Sequence, residues 1–116
     1  MTVLRSKPSP AEMSSEAIEL IAARFRVLGE ASRLKLIQAL IDSELSVNEL
    51  TEAAGLTQAN ASRHLQTLTE AGILKRRKQG IQVLYSIADM NIFDLCGHVC
   101  GSLQERLQAH AKAFGS

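Results

Sequence analysis

Near the middle of this 116-residue chain, Gln58, Asn60, Ser62 and Arg63 surround the small Ala59 and Ala61. These types suit the edge of a base pair. A carboxamide matches the donor–acceptor edge of adenine, a guanidinium matches guanine, and a hydroxyl serves base edges or phosphate. Thr57, just before them, can cap a helix, and a helix N-terminus favours a phosphate group. A second group is Lys75-Arg76-Arg77-Lys78, four consecutive cations. Alone, such a run reads as a solvated strand or loop. Beside the Thr57 segment it completes a phosphate-binding surface, since phosphate contacts set affinity and register while base contacts set sequence. From Thr57 to Tyr85 there are five Lys or Arg side chains against the single acid Glu70, although the whole chain carries only +1. The positive charge is therefore gathered on one part of the molecule. The third group is Cys96 and Cys100, which at i and i+4 project from one side of a helix. Two readings stand. Free cysteine packs as a small hydrophobe, yet two thiols, doubled across a two-fold axis, suit a soft metal or metalloid ion or oxidative modification. A disulfide within one helix face is geometrically poor.

The elements that must hold these groups follow from capping and periodicity. Residues 1–9 read as a flexible tail and residues 10–116 as one domain. Ser9-Pro10-Ala11-Glu12 has the form of a helix start, with Ser9 as cap, and Ile18, Ile21, Ala22, Phe25 and Leu28 continue at helical spacing to Gly29. A second helix runs from Ala31 to Ile41. Ser46-Val47-Asn48-Glu49 is a capping box for a short third helix, and Gly55-Leu56 is a tight turn. The fourth helix, from Thr57, turns Ala61, Leu65 and Leu68 inward and stops at Gly72. Two β-rich runs then flank Gln79-Gly80, which predicts a hairpin whose second strand begins at Ile81. A last helix, about Met90 to Phe114, carries Ile92, Cys96, Val99, Leu103 and Leu107 as its apolar seam.

The order helix-helix-helix-helix-hairpin-helix gives a mostly α (α+β) fold. A short capped helix, a glycine turn and a longer helix starting in small polar residues is a helix-turn-helix, and the basic hairpin after it is a wing. The chain has no Trp, one Tyr and three Phe, a composition suited to packed helices. No apolar run reaches a membrane span, the N-terminus lacks the apolar core of a secretory signal, and two cysteines make no secreted-type disulfide framework. The expected address is the cytoplasm. With no Gly-rich phosphate loop, nucleophile motif or metal-hydrolase His pair, an enzyme is not expected.

Five segments in order resemble the ArsR/SmtB family of repressors. They are Phe25 to Ile37, with Leu28-Gly29-Glu30 and Ser32-Arg33-Leu34; Leu45 to Leu50; Gln58 to Leu65; Leu68 to Leu74; and the wing Gly80 to Ile87. The resemblance implies a homodimer joined by the first and last helices. It would bind an inverted-repeat operator in double-stranded DNA, repress transcription, and leave when an inducer binds. An apolar seam on a C-terminal helix with no later element to cover it agrees with a dimer. The family commonly has His where His64 stands, at the end of the DNA-facing residues, where it either contacts phosphate or packs the helix.

The family's two usual metal sites are not retained. The Cys-x-Cys of arsenite, cadmium and lead sensors is replaced by Ser46-Val47-Asn48. The four last-helix ligands of zinc, cobalt and nickel sensors become Asp89, Asn91, Ser102 and Glu105, with both imidazoles lost, and zinc prefers nitrogen or sulfur. Asp94 and His98 lie on a nearby stripe and are the remaining candidates for a metal, though an exposed polar face accounts for them equally. Cys96 and Cys100 are left as the sensor candidates. The alternatives are a DNA-binding regulator with no small-molecule sensor, or a winged helix that binds protein.

Overall fold

The computed structural model describes residues 10–115. The tail expected over 1–9, and Ser9 as a cap, lie outside them. A turn of 3-10 helix, Pro10–Glu12, comes first, and α1 spans Ser15–Leu28. Its cap is Ser14, whose hydroxyl accepts from the Ala17 amide at 3.1 Å. The helix proper thus starts later than the sequence predicts: Ser14 supplies the extended backbone and free oxygen that a cap needs. Helix α2, Ala31–Ala39, ends two residues before the expected Ile41, because the Leu40 and Ile41 amides bond back three residues to Ile37 and Gln38.

The next elements are β1 (Leu45–Ser46), α3 (Val47–Ala54), α4 (Gln58–Glu70), β2 (Leu74–Gln79), β3 (Gln82–Ile87) and α5 (Asn91–Ala113). The capping box forms as predicted: the Glu49 amide donates to Ser46 Oγ at 3.3 Å and the Ser46 amide to Glu49 Oε1 at 2.9 Å. Helices α3 and α4 end alike. Gly55 and Gly72 take φ of 66° and 77°. Leu56 and Ile73 then donate back to Thr51 and Leu68, a Schellman closure at each end. Ile73 is thereby buried beside Leu68.

The sequence does not announce β1. It pairs Leu45 with Tyr85 and Ser46 with Leu84, making a three-stranded antiparallel sheet in the order β1-β3-β2. The hairpin register runs from Leu74↔Ile87 to Gln79↔Gln82. The turn residues are therefore Gly80 and Ile81. Ile81, which the sequence places at the opening of the second strand, occupies the tip. Gly80, at φ 64°, takes the first turn position, where a left-handed backbone favours glycine.

Leu36, Leu50, Leu65, Leu68, Ile73 and Leu74 are fully buried and form the centre of the core, where α2, α3 and α4 meet the sheet. The terminal helices are different. In α1 only Leu28 is buried, and in α5 only Ile92. Ile18, Ile21 and Phe25 on α1, and Val99, Leu103 and Leu107 on α5, stay exposed. The radius of gyration is 17.6 Å, against about 13 Å for a compact 100-residue domain.

Candidate nucleic-acid interface

Helix α4 sorts its side chains by period. Ala61, His64, Leu65 and Leu68 point inward, while Gln58, Ala59, Asn60, Ser62, Arg63 and Gln66 are exposed. Thr57 caps the helix through its hydroxyl, which accepts from the Asn60 amide at 3.2 Å. The base-reading candidates thus share one solvent face of the first turns, with their backbone fixed. Asn60 and Arg63 are already joined, since Arg63 Nη2 donates to Asn60 Oδ1 at 3.2 Å. Asn60 therefore holds the guanidinium forward on this face.

His64 does not share that face. It is 5% exposed, and its Nδ1 accepts from Arg33 Nε at 3.2 Å. Of the two roles open to it, its position fits packing; a phosphate contact would need a ring turned to solvent. An Nδ1 that accepts leaves the proton on Nε2, so the ring is neutral. Burial pushes its pKa below the ordinary imidazole value, and the neighbouring Arg63 and Arg33 charges add to that, opposed by Glu30. A helical count already implies the inward placement: His64 lies three residues after Ala61 and four before Leu68.

The four wing cations divide. Side chains alternate along β2, so Arg76 and Lys78 point to one side and Lys75 and Arg77 to the other. Arg76 lies across from α4, and with Ser62, Gln66, Thr69, Glu70 and Tyr85 it lines a cleft of about 530 Å³ between recognition helix and wing. Gln66 and Tyr85 are additions to the residues expected from sequence. Arg77 is engaged elsewhere. Its Nη2 donates to Glu44 Oε1 at 2.7 Å and its Nε to Glu44 Oε2 at 2.8 Å, a two-pronged pair with the residue before β1. The Arg77 hydrogen bonds and charge hold the Glu44 carboxyl below its ordinary pKa, and Glu44 raises that of Arg77. Arg77 thus enters the free protein with its charge matched, unlike the uniform run in the sequence.

Cys96 and Cys100 lie on a third region. Cys96 is half-buried and Cys100 exposed, both reduced. They border an apolar groove of about 520 Å³ between α5 and the α1–α2 junction, with Phe25, Leu28, Leu34 and Leu103 among its walls. The other sensor candidates do not assemble. Asp89 lies just before α5, its Oδ1 accepting from the Asn91 amide at 3.1 Å. Among the described residues no group of three or more His, Cys, Asp or Glu side chains could hold a metal ion. Asp89, Asp94, His98 and Glu105 are thus not gathered into such a group within one chain. Among the described residues, too, no helix is long and apolar enough to cross a membrane.

Residues 30–76 match the profile described as bacterial regulatory protein, arsR family. A transcriptional repressor SmtB homolog from Synechocystis sp. is 34% identical over 96 residues, which are 83% of this chain and 73% of that protein. The solution structure of a homodimeric winged helix-turn-helix DNA-binding domain from Mycobacterium bovis superposes with TM-score 0.72. It is 25% identical, covering 85% of this chain and 94% of that one. The crystal structure of the antimony-specific transcriptional repressor AntR also gives 0.72, at 26% identity over 91% of this chain and 99% of that one. With the capped helix-turn-helix, the wing and these likenesses together, the chain belongs to the arsR family of bacterial regulatory proteins, as a DNA-binding transcriptional repressor of the ArsR/SmtB type.

Proposed function

We propose that the protein represses transcription in the cytoplasm as a homodimer on an inverted-repeat operator, with residues 10–116 acting as one DNA-binding and dimerisation unit. Gln58, Asn60, Ser62 and Arg63 read base edges. Thr57 and the α4 N-terminus meet phosphate, with Ala59 against the groove floor, and Arg76 and Lys78 hold the flanking backbone. The observation that carries this reading is the cleft in which Ser62 and Gln66 of α4 face Arg76 of β2. It joins a base-reading row to a phosphate-binding cation on one surface. The exposed apolar sides of α1 and α5 support the dimer, as does the homodimeric state of the M. bovis domain. Two recognition helices would then lie about 34–36 Å apart, one turn of DNA.

Release belongs to Cys96 and Cys100. Each chain offers two sulfurs at the edge of an apolar groove, a donor set that suits a thiophilic ion or another thiol-reactive inducer. The antimony specificity of AntR supports this choice. The direct test of DNA binding uses duplexes selected by the protein from a random-sequence library, titrated from low to moderate salt. Affinity that falls steeply with salt is expected, with Gln58→Ala and Asn60→Ala relaxing preference at particular base pairs by about 1–3 kcal/mol each. A selection that yields no enriched sequence, with binding insensitive to salt, would overturn it in favour of a protein-binding role.

A further inference from the structure

Among the described residues, the exposed large apolar side chains fall into two unequal sets. Ile18, Leu20, Ile21, Phe25, Leu34, Ile41, Met90, Val99, Leu103, Leu107 and Phe114 all belong to α1, α2, α5 or their ends. Ile81 stands apart. It is 103% exposed, at the tip of the wing. Two-residue turns are ordinarily closed by glycine or small polar residues. Here glycine fills the first position and a β-branched hydrocarbon the second. The residue is also held rigidly: six register pairs join β2 to β3, and β1 continues the sheet beyond β3. Gly80 at φ 64° makes the turn, so Ile81 keeps an ordinary negative φ. Nothing in the fold gains from the isoleucine, because it packs against no core residue.

The strand that leads to it carries charge for phosphate. Lys78 and Arg76, at the second and fourth register pairs from the tip, alternate onto one face of β2, where Arg76 meets α4, so seating them on the phosphate backbone would carry the tip toward the adjoining groove. The minor groove is about 6 Å wide, walled by deoxyribose, and branched apolar side chains enter it as wedges at flexible pyrimidine–purine steps. We propose that Ile81 is such a wedge: it enters the minor groove beside each half-site, packs on the sugar walls and opens one base step, so that the operator is bent and chosen there by its deformability. This inference rests on the operator-binding reading above.

The test compares full-length wild type with Ile81→Ser, Ile81→Leu and Ile81→Arg on the duplex selected by the wild-type protein. Readouts are affinity, its salt slope, bend angle by end-to-end energy transfer, and 2-aminopurine fluorescence at steps flanking each half-site. Because Ile81 is fully solvated, none of these variants disturbs the core. Ile81→Ser is expected to lose about tenfold in affinity with an unchanged salt slope, a smaller bend and no fluorescence rise. Ile81→Leu is expected to match wild type in all four readouts. If Ile81→Ser binds and bends as wild type does, or Ile81→Arg binds more tightly with the bend unchanged, the apolar wedge is overturned while operator binding stands. Failure of the wild type itself to select any duplex would overturn both.

Discussion

Arg33 Nε donates to His64 Nδ1 across 3.2 Å, while Arg33 Nη1 donates to the Val27 carbonyl at 3.0 Å. One guanidinium therefore joins the last turn of α1, the start of α2 and the inner face of α4. The recognition helix is pinned from behind, through the buried His64 rather than its exposed face. The pin works only while the imidazole is neutral, because a protonated ring has no lone pair at Nδ1 to accept with.

That dependence has a sign. Burial and two arginines depress the folded-state pKa of His64, so the unfolded chain takes up its proton first as pH falls. Its contribution to stability is full above the ordinary imidazole value of about 6.5 and is lost as pH drops through the lower folded-state value. Denaturant unfolding from pH 8 to 5 should show wild type losing stability relative to His64→Gln below about 6.5. Identical slopes for both would refute the coupling. At neutral pH His64→Leu, which leaves Arg33 Nε unpaired, should cost about 1–3 kcal/mol.

The wing should show two kinds of arginine. Arg76→Ala is expected to lower the salt-dependence slope of DNA binding by about 1, and Arg77→Ala by less, since Arg77 is matched by Glu44 in the free protein. Glu44→Gln releases that guanidinium and should steepen the slope. Equal effects of the two alanine variants, measured by fluorescence anisotropy over a salt series, would mean that the Glu44 pair dissolves on DNA.

The exposed apolar face of α5 should be closed by a second copy. Leu103→Glu puts a carboxylate into that face, at a position 54% exposed in the single chain, so the monomer should fold normally. Sedimentation velocity should report a monomer. Affinity for an inverted repeat should fall by about a hundredfold, the scale of lost bivalency. A Leu103→Glu dimer would place the contact elsewhere.

The cysteine pair has its own experiment. Cys96→Ser combined with Cys100→Ser should keep operator affinity and lose release by arsenite or Cu(I). Release that persists in the double variant would remove these thiols from the switch and leave DNA binding untouched.

What sequence could and could not reveal follows the range of each interaction. The capping box at Ser46 and Glu49, the Thr57 cap and the glycine stops at Gly55 and Gly72 are local patterns, and each formed where its spacing places it. Strand β1 was hidden because two residues show no period, and because Ser46 also caps a helix. Arg33–His64 and Glu44–Arg77 join residues 31 and 33 positions apart, so no window contains both partners. The split of the basic run was within reach, since alternation along a strand separates Arg76 from Arg77.

The double service of Ser46 has a mechanical consequence. One residue is both the end of a strand paired with β3 and the cap of the helix before the turn. Helix-turn-helix and wing thus share this peptide as well as the core, and a shear between them would break the β1 ladder and the cap at once. Each reading head moves as a solid tool. In a two-headed assembly the remaining freedom is the distance and phase between the heads, set by the long terminal helices, so the register of the grip on DNA is adjusted at the handle rather than at the jaws.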